Sequence, residues 1–167
     1  MHMTGVGRDA FRQAMARLGS AVHVVTTDGR AGRAGFTATA VCSLSDSPPS
    51  ILVCMNRGSL QNPIFRGNGA LCVNVLAQDQ LHLAEKFAGL TKEPTEARFS
   101  AAEWDETVTG SPALVDALVN IDARISQILE VPTHDVMVCQ ITGIHLNKPH
   151  QPLIYFERNY HTLPSSI

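Results

Sequence analysis

No basic run marks this chain. Its 13 lysines and arginines against 15 acidic residues leave a formal net charge of -2, so nucleic acid is not an expected partner. Long apolar runs are missing too. None approaches the roughly 18–20 residues that a membrane helix needs, and the opening MHMTGVGRDAFRQAMARLG has no continuous apolar stretch ahead of a small-residue cleavage site. The reading is a cytoplasmic protein with no membrane partner. CxxC spacing is absent as well: Cys42, Cys54, Cys72 and Cys139 each lie in an apolar, strand-like context, which predicts buried reduced thiols and no metal site. There is no internal repeat and no low-complexity segment. Charged residues make up only 17%, and a charge-poor surface on a small domain points to partial cover by a second copy, a homodimer.

What is present is one domain's worth of chain. Its 167 residues can bury a core without staples, and residues 1–167 are read as a single domain with a core over about 11–163. Phe11, Met15 and Leu18 fall at helical spacing in an amphipathic stretch over 8–18 that Gly19 stops. Beyond it the pattern turns to β-branched and apolar runs at 21–27, 36–44, 50–56, 70–76, 119–131, 135–146 and 152–157, seven candidate strands. Short helices are expected at SLQNPIFRG, where Ser59 is a candidate N-cap, at DQLHLAEKFAG, and at SPALVDAL with Pro112 at its start. The polar 90–104 reads as a long connection. Successive strands stand too close for helical crossovers, so the fold class is mainly β: an antiparallel barrel with a few short flanking helices.

GRAGRAG at 29–35 has the look of a phosphate cradle, since glycines beside arginines suit a nucleotide. The spacing is GxxGxxG, however, no GK[ST] follows, and the next residues, FTATAVCSL, are a strand and not a helix whose amides could hold a pyrophosphate. The stretch therefore reads as a flexible hairpin tip with solvated arginines, turned at Asp28-Gly29.

GFTATAVCSLSDSPP, NRGS, CVNVLAQDQLHLAEKFAG, THD and PLIYFERNYHTL, in this order over roughly residues 11–163, resemble the flavin reductase family with its split β-barrel (Greek-key) fold. The resemblance implies an NAD(P)H:flavin oxidoreductase that reduces FMN or FAD with NADH or NADPH and supplies reduced flavin to a separate monooxygenase. Thr37, Ala38, Thr39 and Ala40 would meet the polar edge of the flavin, with Ser43 and Cys54 on the same two runs. Asn56, Arg57 and Ser59 precede a short helix and would hold the ribityl chain and phosphate. Lys86, Phe87 and Ala88 match the segment that closes over the phosphate side, and Tyr160 the aromatic ending near the cofactor. His134 corresponds to the histidine beside the nicotinamide and is the candidate catalytic residue. Thr133 stands where the family has glycine. A non-catalytic flavin carrier on the same barrel is the alternative. A pyridoxamine phosphate oxidase would want additional basic residues that the chain lacks.

Overall fold

In the computed structural model, residues 6–148 and 150–163 are described. Helix α1 (Arg8–Ala16) leads into β1 (Ser20–Ala21), β2 (His23–Thr27), β3 (Ala34–Ala38), β4 (Val41–Asp46), β5 (Pro49–Asn56), α2 (Asn62–Asn68) and β6 (Ala70–Val75). A 3-10 turn at Gln78–Gln80 opens α3 (Leu81–Phe87), followed by α4 (Thr95–Phe99), β7 (Trp104–Glu106) and β8 (Pro112–Leu114). The long strands β9 (Val119–Glu130) and β10 (His134–Leu146) and a hairpin, β11 (Leu153–Phe156) and β12 (Asn159–Thr162), complete the chain.

Seven strands make one antiparallel sheet in the order β3-β2-β6-β9-β10-β5-β4. Its two edges, β3 and β4, are consecutive in sequence, with only Thr39 and Ala40 between them. Three peptide links from Ala38 to Val41 reach about 11 Å at most, so the sheet must curl until its edges nearly meet. The result is the expected split barrel: mainly β, antiparallel, joined across its seam by the chain itself.

Alternation sets which faces are filled. Ile51, Val53 and Met55 of β5 point into the barrel and are buried, while Ser50, Leu52 and Cys54 face outward. With Val25, Phe65, Leu71, Val73, Ala123 and Met137 they form the inner core. A second core lies on the other face of β2, where Val22 and Val24 meet Leu76, Leu83, Phe87, Phe99 and Leu153. Each such fully buried side chain contributes about 1.5–3 kcal/mol. Gly35 is what lets α3 approach: a Cβ there would stand 2.7 Å from Cε1 of Phe87.

The structure corrects several local expectations. The run 36–44 is two strands, because the chain changes partner from β2 to β5 at the seam while its β-branched pattern continues unbroken. Residues 111–118 begin as β8 instead of a helix: Asn74 Oδ1 accepts from the Leu114 amide at 2.8 Å and Thr26 donates to the Pro112 carbonyl, pinning the segment as a strand. The connection 90–104 contains α4, whose Phe99 packs edge-on to Phe87 at 5.1 Å. Gly29 to Gly35 is a hairpin turn, but its tip is held by side chains. Asn68 accepts from the Ala31 amide at 2.8 Å and donates to the Gly32 carbonyl at 2.8 Å. Arg33, expected to be solvated, pairs with Asp28 at 2.7 Å and lies over the Phe99 ring. Of the cysteines, Cys72 and Cys139 are buried as expected, but Cys54 is half-buried and Cys42 is exposed, since both sit on the outward face near the sheet edge.

His23, on β2 opposite Ala38 and Val75, is 8% exposed, and its Nδ1 has no hydrogen-bond partner among the described residues. Burial lowers its pKa from 6.5 to about 4. The unfolded chain therefore binds a proton that the folded one refuses. Stability is unaffected above pH 6.5, falls between there and about pH 4, and loses about 3 kcal/mol over that window. Chemical denaturation at stepped pH is expected to show this fall in the wild type and a flatter profile in His23→Leu.

Candidate active site

The seam also organises the chemistry. A groove of about 970 Å³ runs beside it, lined by Thr39 and Ala40 from the crossing, His134 at the start of β10, Tyr155 of β11, Arg158 of the last hairpin and the apolar side of α1, including Phe11 and Met15. A smaller cavity of about 190 Å³ shares Thr39 and Tyr155 with it and adds Val22, Thr37, Ala88 and Tyr160. Among the described residues the amides of Thr39 and Ala40 donate no main-chain hydrogen bond, although the carbonyls of both accept one. Free donors, a hydroxyl and apolar walls are what the polar edge and the faces of a flat heteroaromatic ring require, so the residues present fit a flavin.

The other candidates are placed as follows. Thr37 donates its hydroxyl to the Ala84 carbonyl at 2.6 Å, tying β3 to α3. Ala38 is buried in the inner core, and Ser43 is exposed on β4. The Cys54 amide donates to the Ala40 carbonyl at 3.0 Å, and burial, then the nearby Cys42, push the Cys54 thiol up. Asn56 pairs in register with His134 and accepts from the Gly58 amide at 2.7 Å. Ser59 does not cap α2, whose N-cap is Gln61; its hydroxyl oxygen accepts from the Gln61 amide at 3.3 Å within the preceding turn. Phe87 commits its ring to the second core. Tyr160 leans on Tyr155 with ring centroids 5.2 Å apart, and burial, then Tyr155 and Glu85, raise its hydroxyl pKa.

Both cations expected at the phosphate side carry carboxylate partners. Lys86 Nζ is 2.7 Å from Glu93, which that hydrogen bond, with one from Thr91, holds below the usual carboxylate value. Arg57 is 3.3 Å from Glu130 and 3.5 Å from Asp135. Arg66 completes the cluster, 2.8 Å from each of these carboxylates. At His134, the Thr133 hydroxyl lies 2.9 Å from Nδ1, so the residue standing in place of glycine contacts the imidazole directly.

Sequence reasoning named Tyr160 of the last hairpin but missed the contribution of α1 and of that hairpin's turn. The stripe of Phe11, Met15 and Leu18 was visible, but helical spacing does not say what a helix faces. No residue of α1 is buried within the chain, and the stripe looks onto the groove. The helix is fastened at its C-terminal end, where the Glu157 amide donates to the Ala16 carbonyl at 2.6 Å and Arg17 pairs with the Glu157 carboxylate at 3.3 Å. Glu157 and Arg158 form a two-residue hairpin turn with φ of 47° and 62°, a conformation that favours glycine and costs a non-glycine residue about 1 kcal/mol.

An antiparallel split barrel with a nucleotide-sized groove at its seam defines a class of protein that holds a flat cofactor on the barrel edge. The flavin reductase like domain model matches residues 15–164, and the chain belongs to that family. It is 50% identical to the FMN reductase (NADH) RutF of Pantoea ananatis strain LMG 20103, over 97% of this chain and 84% of the relative. It is equally similar to that of Escherichia coli O157:H7 strain EC4115, over 96% of this chain and 97% of the relative. Among solved structures, the YcdH protein of Haemophilus somnus 129PT has a TM-score of 0.90 at 46% identity, covering 95% of this chain and 100% of that one. BorF, the flavin reductase component of a bacterial two-component tryptophan halogenase, has a TM-score of 0.88 at 25% identity, covering 96% and 100%.

The carboxylate beside His134 yields a prediction. Burial pushes the fully buried Asp135 up, but hydrogen bonds from Asn62 at 2.9 Å and Arg66 at 2.8 Å, with the charges of Arg66 and Arg57, outweigh it and hold the carboxyl below its ordinary value. A depressed folded-state pKa contributes stability that is present above the unfolded value and lost as pH falls through the folded one. Asp135→Asn is expected to be less stable than wild type by about 1–3 kcal/mol at pH 7. In urea titrations the gap should close below about pH 4, the ordinary aspartate range.

Proposed function

We propose that this chain is an NAD(P)H:flavin oxidoreductase that takes FMN or FAD at the barrel seam, reduces it with NADH or NADPH, and releases reduced flavin to a separate monooxygenase. The observation that carries this reading is the convergence of Thr39, Ala40 and His134 on one groove, the first two bearing unused backbone donors. The names of the 50% identical relatives, which specify FMN and NADH, agree with it.

When bound, the flavin supplies a ring that accepts a hydride from dihydronicotinamide. The protein's part is positioning and electrostatics. The Thr39 and Ala40 amides and the Thr39 hydroxyl would hold the ring's polar edge, where donors of this kind favour negative charge. Ala40, Met15 and Phe11 seat its apolar faces and exclude water. The Thr133 hydroxyl is 2.9 Å from Nδ1 of His134 and fixes the ring's orientation; with Thr133 as the donor, Nε2 carries the proton and would donate to the nicotinamide carboxamide. Asn56 and Ser59 serve the ribityl chain. Lys86 and Arg57 would hold a phosphate on that side only in competition with Glu93 and Glu130, which favours loose binding.

The 167 residues act as one reductase domain in the cytoplasm. No helix among the described residues is long and apolar enough to cross a membrane. A second copy covers outward apolar side chains such as Leu44, Leu129, Ile144 and Leu146, which are 49–74% exposed.

Loss of NADH absorbance in the presence of FMN, FAD or neither tests the reading. Flavin-dependent consumption is expected, and its absence with both flavins overturns the reading. His134→Ala is expected to lower kcat/KM for NADH at least about tenfold, with flavin Kd changed less than about twofold. Full turnover in that variant removes His134 from the mechanism.

A further inference from the structure

The groove contains two cations that the family resemblance does not assign. Arg12, on α1, and Arg158, in the strained turn between β11 and β12, both line it together with His134. Neither has an ion pair or a hydrogen-bond partner among the described residues, unlike Arg33, Arg57, Arg66 and Lys86, each of which has a carboxylate within 3.5 Å. The nearby acidic groups do not neutralise them. Glu157 is engaged by Arg17 at 3.3 Å, and Asp9, which shares the groove, makes no ion pair with either.

Position adds to the charge argument. Arg158 is held at φ 62°, where glycine would sit without strain. A long cationic side chain thus stands at a turn that borders the groove. Two unpaired guanidiniums on separate elements, α1 and the last hairpin, suit an anion with several oxygens spread over a few ångströms better than a single carboxylate.

We propose that Arg12 and Arg158 bind the diphosphate of the nicotinamide dinucleotide, fixing the reductant while His134 meets its ring. This rests on the reductase reading for the identity of the ligand, but it makes a binding claim that needs no turnover. It also separates the two phosphates: the flavin's lies toward Asn56–Ser59 and Lys86, the dinucleotide's toward α1 and the turn.

ADP-ribose, which carries the diphosphate without the nicotinamide, is the probe. By calorimetry it is expected to bind the wild type and to bind the double variant Arg12→Gln, Arg158→Gly at least about tenfold more weakly. Arg158→Gly relieves the positive φ, so it should melt no lower than wild type, which separates lost binding from lost folding. In steady state the double variant should raise KM for NADH about tenfold or more with kcat little changed. Arg30→Gln, which removes an exposed charge at the other hairpin, should change neither measurement. The proposal is overturned if ADP-ribose fails to bind the wild type, if it binds both proteins equally, or if Arg30→Gln weakens it as much. It also falls if the double variant loses affinity for FMN but not for riboflavin, which would assign the arginines to the flavin phosphate. Failure of flavin-dependent NADH consumption alongside arginine-dependent ADP-ribose binding would sink the reductase reading and leave this site standing.

Discussion

Everything in this molecule is arranged around the two residues that carry the chain from one edge of the sheet to the other. Thr39 and Ala40 cannot reach unless the sheet curls, and once it has curled they cannot pair fully with either edge. The same constraint that makes the barrel therefore leaves backbone amides free at its seam. Unpaired amides are costly when buried and useful beside a ligand. A groove at this position satisfies both conditions, because it keeps the donors accessible to solvent or to a bound ring. The site is thus a consequence of closure and not an addition to it.

Charge is distributed by the same economy. Five of the cations discussed, Arg17, Arg33, Arg57, Arg66 and Lys86, are in ion pairs, and the cluster of Arg57, Arg66, Glu130 and Asp135 is self-neutralising. Its role in the fold is to fasten α2 and the end of β5 to the start of β10, which sets the position of His134. Burying Asp135 is tolerable only with Asn62 and Arg66 donating to it. Arg12 and Arg158, which make no ion pair among the described residues, lie beside the groove.

The sheet was legible in the sequence because its strands obey a strong rule: β-branched residues alternating over a core, bounded by turn residues. Each of the seven candidate runs overlaps a strand of the structure. Where the reading failed, local pattern and tertiary role had parted. FTATAVCSL keeps one pattern through a change of partner, so no residue in it announces the seam. Pro112 suits a helix start as well as a strand, and the choice is made by Asn74 and Thr26, far away in sequence. The candidate site was legible only through the family resemblance. Thr39 and Ala40 look like ordinary strand residues, and His134 like a loop histidine. Arg158 could not be found at all, since its strain is visible only as a backbone angle.

Helix α1 shows how loosely one wall of the site is held. Nine residues are too few for a helix to be stable in water by itself, and this one buries no side chain within the chain. Its anchorage is the Glu157 amide and an exposed ion pair to Arg17, and an exposed pair contributes at most about 1 kcal/mol. Phe11 and Met15 are 53% and 44% exposed, so apolar surface on α1 stands ready to be covered. At roughly 25 cal/mol per Å², covering even 100 Å² of it would add about 2.5 kcal/mol, more than the ion pair that now fastens the helix. A ligand that fills the groove therefore stabilises its own wall, and by linkage the helix binds more firmly when the groove is filled. The wall that borders the groove is thus also the element with the least hold on the rest of the chain.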